Sequence, residues 1–333
     1  MDWSRLPRPS LVVPWNVETM DRRLDFIALG DPVLDIWLSS EELPRWDDKH
    51  LGRSARLISG GTEANAVCAA ARQGVRCALL GHAGAGVAAE LHKAELNRHG
   101  VSLEFLIDDE PAEGAIAVVY VSAAGERAVT YVPARRQPDR TVLQRRLAQA
   151  AADARLLYLL PYDAQWLREI GDVAARHETL LAVDVERATM EATGMRQALC
   201  EVPDVLCFNA AGFRAFTGQD LIDEAAVWRV IGSVRARVVV VTLGPAGSIG
   251  SERDGPVVRC AAAPARRVDT TGAGDTFNGT WVAAWLQGCA LDEAMAQAAV
   301  AAARCIEAVG PRGQWDDGPR ATHPAALPIG SST

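Results

Sequence analysis

No stretch of this 333-residue chain approaches the ~18 consecutive apolar residues of a membrane-spanning helix, so no membrane partner is expected. Residues 1–23 hold acids, prolines and arginines without a continuous apolar segment. They read as an irregular extension rather than a signal peptide, which makes a cytoplasmic location the expectation. A basic surplus is also missing: 34 Lys and Arg stand against 42 Asp and Glu, a net charge of −8. That balance argues against general nucleic-acid binding. The seven cysteines contain no Cys-x-x-Cys pair and read as reduced, mostly buried thiols. The six histidines lack metal-ligand spacing, and His82, His92 and His99 are expected on helix or loop surface. The phosphate loop Gly-x-x-x-x-Gly-Lys-Ser/Thr does not occur. Gly81-His-Ala-Gly84-Ala-Gly86 follows a strand but lacks the Gly-x-Gly-x-x-Gly order, so it reads as a structural turn and leaves a nicotinamide oxidoreductase without its fingerprint.

What is present is a large apolar fraction, 49%, enough for a sizeable core. The length suits two domains or one large α/β domain with an insertion. Strands are predicted over 25–30, 31–39, 53–59 and 77–80, and helices over 63–73 and 87–98. Residues 115–121 and 128–132 flank Ser122-Ala-Ala-Gly-Glu126 and read as a β-hairpin. From about 139 the pattern becomes regular alternation. Helices are predicted at 143–152, 164–176 and 224–235, strands at 156–160, 180–185, 205–208 and 238–242, and two closing helices at about 274–287 and 292–309. Such alternation implies an α/β fold with a mostly parallel sheet covered on both faces. The early strands and the hairpin break the rhythm and are expected to form a small separate sheet. The segment from Gly310, rich in Pro, Gly and Ser, reads as a loosely ordered tail.

The most informative run is Asp269-Thr-Thr-Gly-Ala-Gly-Asp275-Thr-Phe-Asn-Gly279. A loop of small residues opening a helix leaves backbone N–H groups unpaired at the positive end of the helix dipole, which makes an anion site. An acid beside such a site binds phosphate poorly and suits a base acting on whatever attacks the phosphate. The same residues also suit a capped helix after a tight turn.

This run resembles the C-terminal signature of the ribokinase-like carbohydrate kinases, the PfkB family. The resemblance implies a three-layer α/β/α fold with a mostly parallel central sheet and a small β-sheet lid over the sugar. It places the kinase domain at 24–310, with lid segments at about 33–59 and 113–133, and a tail at 311–333. The activity it implies is ATP-dependent phosphorylation of a hydroxymethyl group on a sugar or sugar-like molecule, with Mg²⁺ and, in some members, K⁺. Asp275 is then the base, and Gly272, Ala273 and Gly274 form the anion hole. Asp35, in Gly30-Asp-Pro-Val-Leu-Asp35, matches the family's N-terminal sugar-binding Asp; Asp31 before it carries less weight. Gly60, Gly61 and Asn65 match Gly-Gly-x-x-x-Asn, although Thr62 capping a helix explains part of that pattern. Thr242, Gly244 and Gly247 match the nucleotide-contacting Thr-x-Gly-x-x-Gly. Asp269 and Thr271 match K⁺ ligands, with a strand-end cap as an equal reading of Asp269. The lid often mediates dimers in the family, so a homodimer is expected.

The chain departs from the family pattern at several places. Asn209-Ala-Ala-Gly212 keeps the Asn of the usual Asn-x-x-Glu and loses the acid that helps to hold the Mg²⁺ water shell. Asp184 or Glu186 is expected to compensate, or phosphates and water hold the ion alone. Pro161 stands where ribokinase-type sequences have a Glu. Thr280 and Trp281 are larger than the usual residues after the signature. Substrate choice is expected to reside in the lid hairpin and near Leu160-Pro-Tyr-Asp163, with Arg127, Arg135 and Arg136 as candidates should the substrate carry a phosphate. A nucleoside kinase, or a catalytically weak sugar-binding regulatory protein on the same fold, is the alternative.

Overall fold

Strands such as Val238–Thr242 and Leu180–Val185 are apolar on both faces, and such strands need cover on both. The computed structural model supplies it with helices on each side of a ten-stranded sheet. It describes residues 22–47, 49–107, 114–123, 127–134 and 140–313. Most of the N-terminal extension, the tip of the lid hairpin, Arg135, Arg136 and the tail beyond 313 lie outside those residues.

In chain order the first strands are β1 (Leu24–Leu29), β2 (Val33–Ser40) and β3 (Gly52–Gly60). Then come α1 (Thr62–Arg72), β4 (Cys77–His82), α2 (Gly86–Arg98) and the short strands β5 (Val101–Ser102) and β6 (Leu106–Ile107). The hairpin is β7 (Ala115–Ser122) and β8 (Arg127–Val132). The alternating half runs α3 (Arg140–Asp153), β9 (Ala154–Leu159), α4 (Ala164–Arg176), β10 (Leu180–Val185), α5 (Met195–Glu201) and β11 (Val205–Asn209). It continues with α6 (Ala210–Thr217), α7 (Glu224–Ser233), β12 (Val238–Thr242), β13 (Ser248–Glu252), β14 (Val257–Cys260), α8 (Ala273–Leu286) and α9 (Leu291–Cys305).

The main sheet has the order β14-β13-β12-β11-β10-β9-β1-β4-β5, with β6 also on β4. From β12 to β5 the pairs are parallel; β13 and β14 add an antiparallel edge. Helices α3 to α7 cover one face through Leu147, Leu167, Leu199, Phe213 and Val227. On the other face α1, α2, α8 and α9 pack through Val67, Leu96, Trp281 and Met295. The second sheet, β3-β2-β7-β8, forms from the early strands and the hairpin, as expected.

Among the described residues six of these elements went unpredicted. α5 and α6 are about two turns long, and β5, β6, β13 and β14 are strands of two to five residues, so each repeats its pattern too few times to stand out. The histidines correct another expectation. His82 and His92 are buried, and the His99 side chain is nearly so. In α2 the buried positions Ala89, His92 and Leu96 form one stripe facing inward, which carries His92 inside. All seven cysteines are unpaired, four of them buried.

Trp281 and Thr280 are fully enclosed, so their bulk fills the core beside α8. Close approach is provided one residue earlier. A Cβ on Gly279 would fall on the backbone carbonyl of Ala66 in α1. The two helices therefore touch backbone to side-chain-free backbone. Gly279→Ala is expected to push them apart at a cost of about 1–3 kcal/mol, read as a lower urea midpoint with unchanged slope. An unaltered midpoint would remove this contact from the determinants of the fold.

Candidate active site

The parallel strands end along one edge of the sheet, and the turns leaving β1, β9, β10, β11 and β12 gather there, where open α/β sheets bind ligands. Gly272 caps α8 in a left-handed conformation, φ +74°. Its Cα faces the carbonyl of Pro311, so the loop before α8 is stacked on the turn after α9. The Ala273 N–H makes a long bond to Thr270 O, 3.4 Å, while the space in front of Gly274 is open. The first turn of α8 thus presents its amides to the edge.

Asp275 sits half-buried in that turn. Asn65 of α1 donates from Nδ2 to Asp275 Oδ2 at 2.8 Å, joining residues 210 apart in the chain. Burial pushes the Asp275 carboxyl up to about 7; the Asn65 bond and the Arg312 charge oppose the rise, and the carboxylates of Glu186 and Glu63 add to it. Two further acids face the same space. Glu63, buried in α1, accepts from Leu160 N at 3.1 Å and is raised to about 7, chiefly by burial. Asp184, at the end of β10, accepts from the Tyr158 hydroxyl at 3.1 Å and is raised to about 8 by burial, Glu186 and Asp275.

The other expected residues fall around this centre. Asp35 is buried in β2 with its carboxylate against the Cα of Gly60, which leads through Gly61 into α1. Thr62 makes no capping bond; Gly61 caps the helix without a side chain. Asn209 caps α6 by accepting from Gly212 N at 2.7 Å, and its side chain also hydrogen-bonds Glu186. Thr242 lies beside Asn209 in register. Gly244 and Gly247 form the tight turn into β13, closed by Leu243 N donating to Gly247 O at 2.8 Å. Both Asp269 oxygens accept protein donors: Oδ1 accepts from Thr271 N (3.0 Å) and Thr271 Oγ1 (2.8 Å) in its own loop, and Oδ2 accepts from Gly310 N (2.9 Å) in the turn after α9. Among the described residues no group of three or more His, Cys, Asp or Glu is arranged to hold a metal.

The structure also explains the acid missing after Asn209. A Cβ at Gly212 would strike the carbonyl of Val185, so α6 starts hard against the end of β10. Glu186, the next residue, brings a carboxyl to Asn209 from the neighbouring strand instead. Glu63 likewise brings a carboxyl to the strand end where Pro161 stands.

Two site residues, Arg312 and Glu63, had escaped the sequence. Arg312, expected in a loose tail, is buried and donates from Nε to Asn65 Oδ1 (3.2 Å) and from Nη1 to Ser59 Oγ (3.4 Å). Ser59 in turn bonds His92 Nδ1 at 2.8 Å. Gly310 and Pro311 are buried with Arg312, so ordered structure runs past the expected boundary at 310. Tyr131 of β8 and Tyr162 are both half exposed, and the carboxylates of Asp31 and Glu63, respectively, help to raise their hydroxyls after burial. Only Glu63 carried a usable signal, an acid two residues after Gly61 at the head of a helix. Arg312 had none, being a single Arg in Gly-Pro-Arg-Gly.

Known proteins resemble this chain in sequence and in fold. The model of the pfkB family of carbohydrate kinases matches residues 25–317. Ribokinase of Haemophilus influenzae is 24% identical over 256 residues, covering 76% of this chain and 82% of that protein. Nucleoside kinase of Methanothermobacter thermautotrophicus is 24% identical over 280 residues, covering 82% and 86%. Arabidopsis thaliana ribokinase, solved with ribose and ATP, superposes with a TM-score of 0.73 at 22% identity, covering 86% of this chain and 94% of that one. The chain belongs to the pfkB family of carbohydrate kinases.

A carboxylate near pH 7 must be ionised to accept a proton, so activity that depends on it falls as pH drops through about 7. Asn65 stabilises the ionised form. Asn65→Ala is therefore expected to move the acid limb of the kcat/KM profile to higher pH, measured from about pH 5 to about pH 9. A limb that stays in place would show that the Asn65 bond does not tune Asp275.

Proposed function

We propose that this chain transfers the γ-phosphoryl group of ATP to a hydroxymethyl group of a sugar or nucleoside, with Asp275 as the general base. The observation that carries this reading is the position of Asp275: beside the open amides of α8, held by Asn65, and poised near neutral pH. The acceptor oxygen attacks the γ-phosphorus, the bond to the β–γ bridging oxygen breaks, ADP leaves, and the acceptor proton passes to Asp275 Oδ. Such transfer is loose, so positioning and charge stabilisation do most of the work. The amides of Gly272, Ala273 and Gly274 are assigned to the developing charge. Asp35, Asn65 and Glu63 are assigned to acceptor hydroxyls, and Thr242, Gly244 and Gly247 to the nucleotide. Tyr131 and Tyr162 supply flat walls near the acids, which suits a ring-bearing substrate.

Mg²⁺, when bound with the nucleotide, would neutralise charge on the transferred phosphates. Glu186 and Asn209 fit it: they pair at the sheet edge, Glu186 is partly exposed, and its charge helps to hold back the ionisation of Asp184, which a cation beside the two would relieve. K⁺ fits less well. Both Asp269 oxygens already accept protein donors, and the Cys305 thiol lies 3.6 Å from Thr271 O and 3.4 Å from Pro311 O. No step is assigned to it. The exposed apolar side chains Leu57, Val129 and Val132 on the second sheet support a homodimer through the lid.

The deciding experiment is coupled ADP release against pentoses, hexoses, keto-deoxy acids, sugar phosphates and nucleosides. Asp275→Asn is expected to lower turnover about 10²–10⁴-fold while ATP and acceptor still bind; near-normal turnover would sink the base assignment. Glu186→Gln is expected to raise the Mg²⁺ concentration for half-maximal rate about 10–100-fold, with the KM for acceptor unchanged. An unchanged Mg²⁺ requirement would return the ion to phosphates and water alone.

A further inference from the structure

Beside the Arg312 side chain that holds Asn65 lies a groove of about 420 Å³ between β3, α2 and the turn after α9. Its lining includes Arg56 of β3, Arg98 of α2 and Arg312 of the turn, with Ser59 and Pro311 beside them. Among the described residues Glu95 is the one carboxylate in the lining, and Arg98 pairs with it at 3.4 Å. On a chain of net charge −8, this is a local concentration of positive charge. Neighbouring groups register it. His99 is pushed down to about 3 by burial and by Arg72, Arg312 and Arg98, and His92 to about 4 by burial and Arg312. Arg72 itself is lowered to about 10 by burial, with Arg312 and Arg98 contributing.

Guanidinium groups match phosphate oxygens in charge and in paired donor geometry. The volume falls at the lower end of small-molecule sites, roughly 300–1,000 Å³, which suits a sugar monophosphate and is tight for a nucleotide. The groove is also wired to Asp275. Arg312 spans from its wall to Asn65 Oδ1 (3.2 Å), and Asn65 Nδ2 reaches Asp275 (2.8 Å). Arg72 fixes the turn by donating to the Arg312 carbonyl at 3.1 Å, so Arg312 is seated on a rigid support.

We propose that this groove is a regulatory site for a small phosphorylated metabolite, whose binding slows turnover by drawing on the charge of Arg312. Arg312 favours the ionised form of Asp275. An anion on the groove side offsets that charge, Asp275 takes up a proton, and less base is available at neutral pH. The groups facing Arg312 that also titrate or carry charge are Cys68, Arg72, His92, His99 and Asp275. The effect on turnover rests on Asp275 being the base; binding in the groove does not.

Calorimetry on the full chain tests both halves without an acceptor substrate. Sulfate is the first probe, because it does not titrate near neutral pH. Titration in two buffers of different ionisation enthalpy is expected to show binding with proton uptake at about pH 7. Asp275→Asn should keep the binding and lose the uptake. Arg56→Ala/Arg98→Ala, both at exposed positions, should bind about tenfold more weakly or worse. No sulfate binding, equal binding by the double variant, or uptake that persists in Asp275→Asn would each overturn the proposal. Inorganic phosphate and a sugar monophosphate form the remaining arms: tighter binding of the sugar monophosphate than of either inorganic anion supports a metabolite site, and equal binding overturns it. Full turnover by Asp275→Asn would reject the base yet leave the calorimetric result standing.

Discussion

The site depends on one contact, α1 lying against α8 with Gly279 under the Ala66 carbonyl. Each helix brings half of the arrangement. α1 carries Glu63 and Asn65; α8 carries the turn of amides and Asp275. Neither helix end could hold the other's residues at hydrogen-bond range if the two backbones stood a methyl group further apart. Both helices are packed on the same face of the sheet, α1 largely through alanine and α8 through Phe277, Trp281 and Val282, with Gly279 as the point of close approach. The bond from Asn65 to Asp275 is the chemical consequence of a steric fact.

Around that contact the charges are unevenly matched. Glu63, Asp184, Glu186 and Asp275 crowd one side; burial holds back the ionisation of all four, and neighbouring carboxylates add to it at Glu63, Asp184 and Asp275. Such groups favour folding at low pH, and that contribution is lost as pH rises from the ordinary carboxylate range through about 7 to 8. The protein therefore holds a strained electrostatic arrangement at neutral pH, which a bound cation would relieve. Arg312 is the counterweight from the other side. It donates to Asn65, which donates to Asp275, so Asn65 both steadies the carboxylate and links it to the basic wall behind.

Much of this was readable from the chain. The exact predicted bounds of α4, β10 and β12 reflect strong patterns: an amphipathic period over thirteen residues in α4, and dense runs of Leu and Val in the two strands. The run ending in Asp275 announced a helix start with exposed amides because those features lie within a few residues of each other. α5, α6, β13 and β14 did not show, since each repeats its pattern only about twice and neither strand has the dense β-branched run that marks β12. His92 was misplaced for a related reason: the side of α2 that turns inward is set by β3 above it, which no local residue reports.

The sequence by itself determined the alternating α/β architecture, the second sheet and the acid at a helix N-terminus, because each follows from periodicity and backbone chemistry over short stretches. Tertiary structure alone decided which groups meet that acid. It drew Arg312 out of an apparent tail and set it behind Asn65. It barred a side chain from position 212 and moved the nearest carboxyl to Glu186. It raised three acids towards neutrality by closing them into a shared space. Sterics and charge act through space at a few ångströms, between residues that can lie more than 200 positions apart in the chain, as Asn65 and Asp275 do, and no short window of sequence contains both.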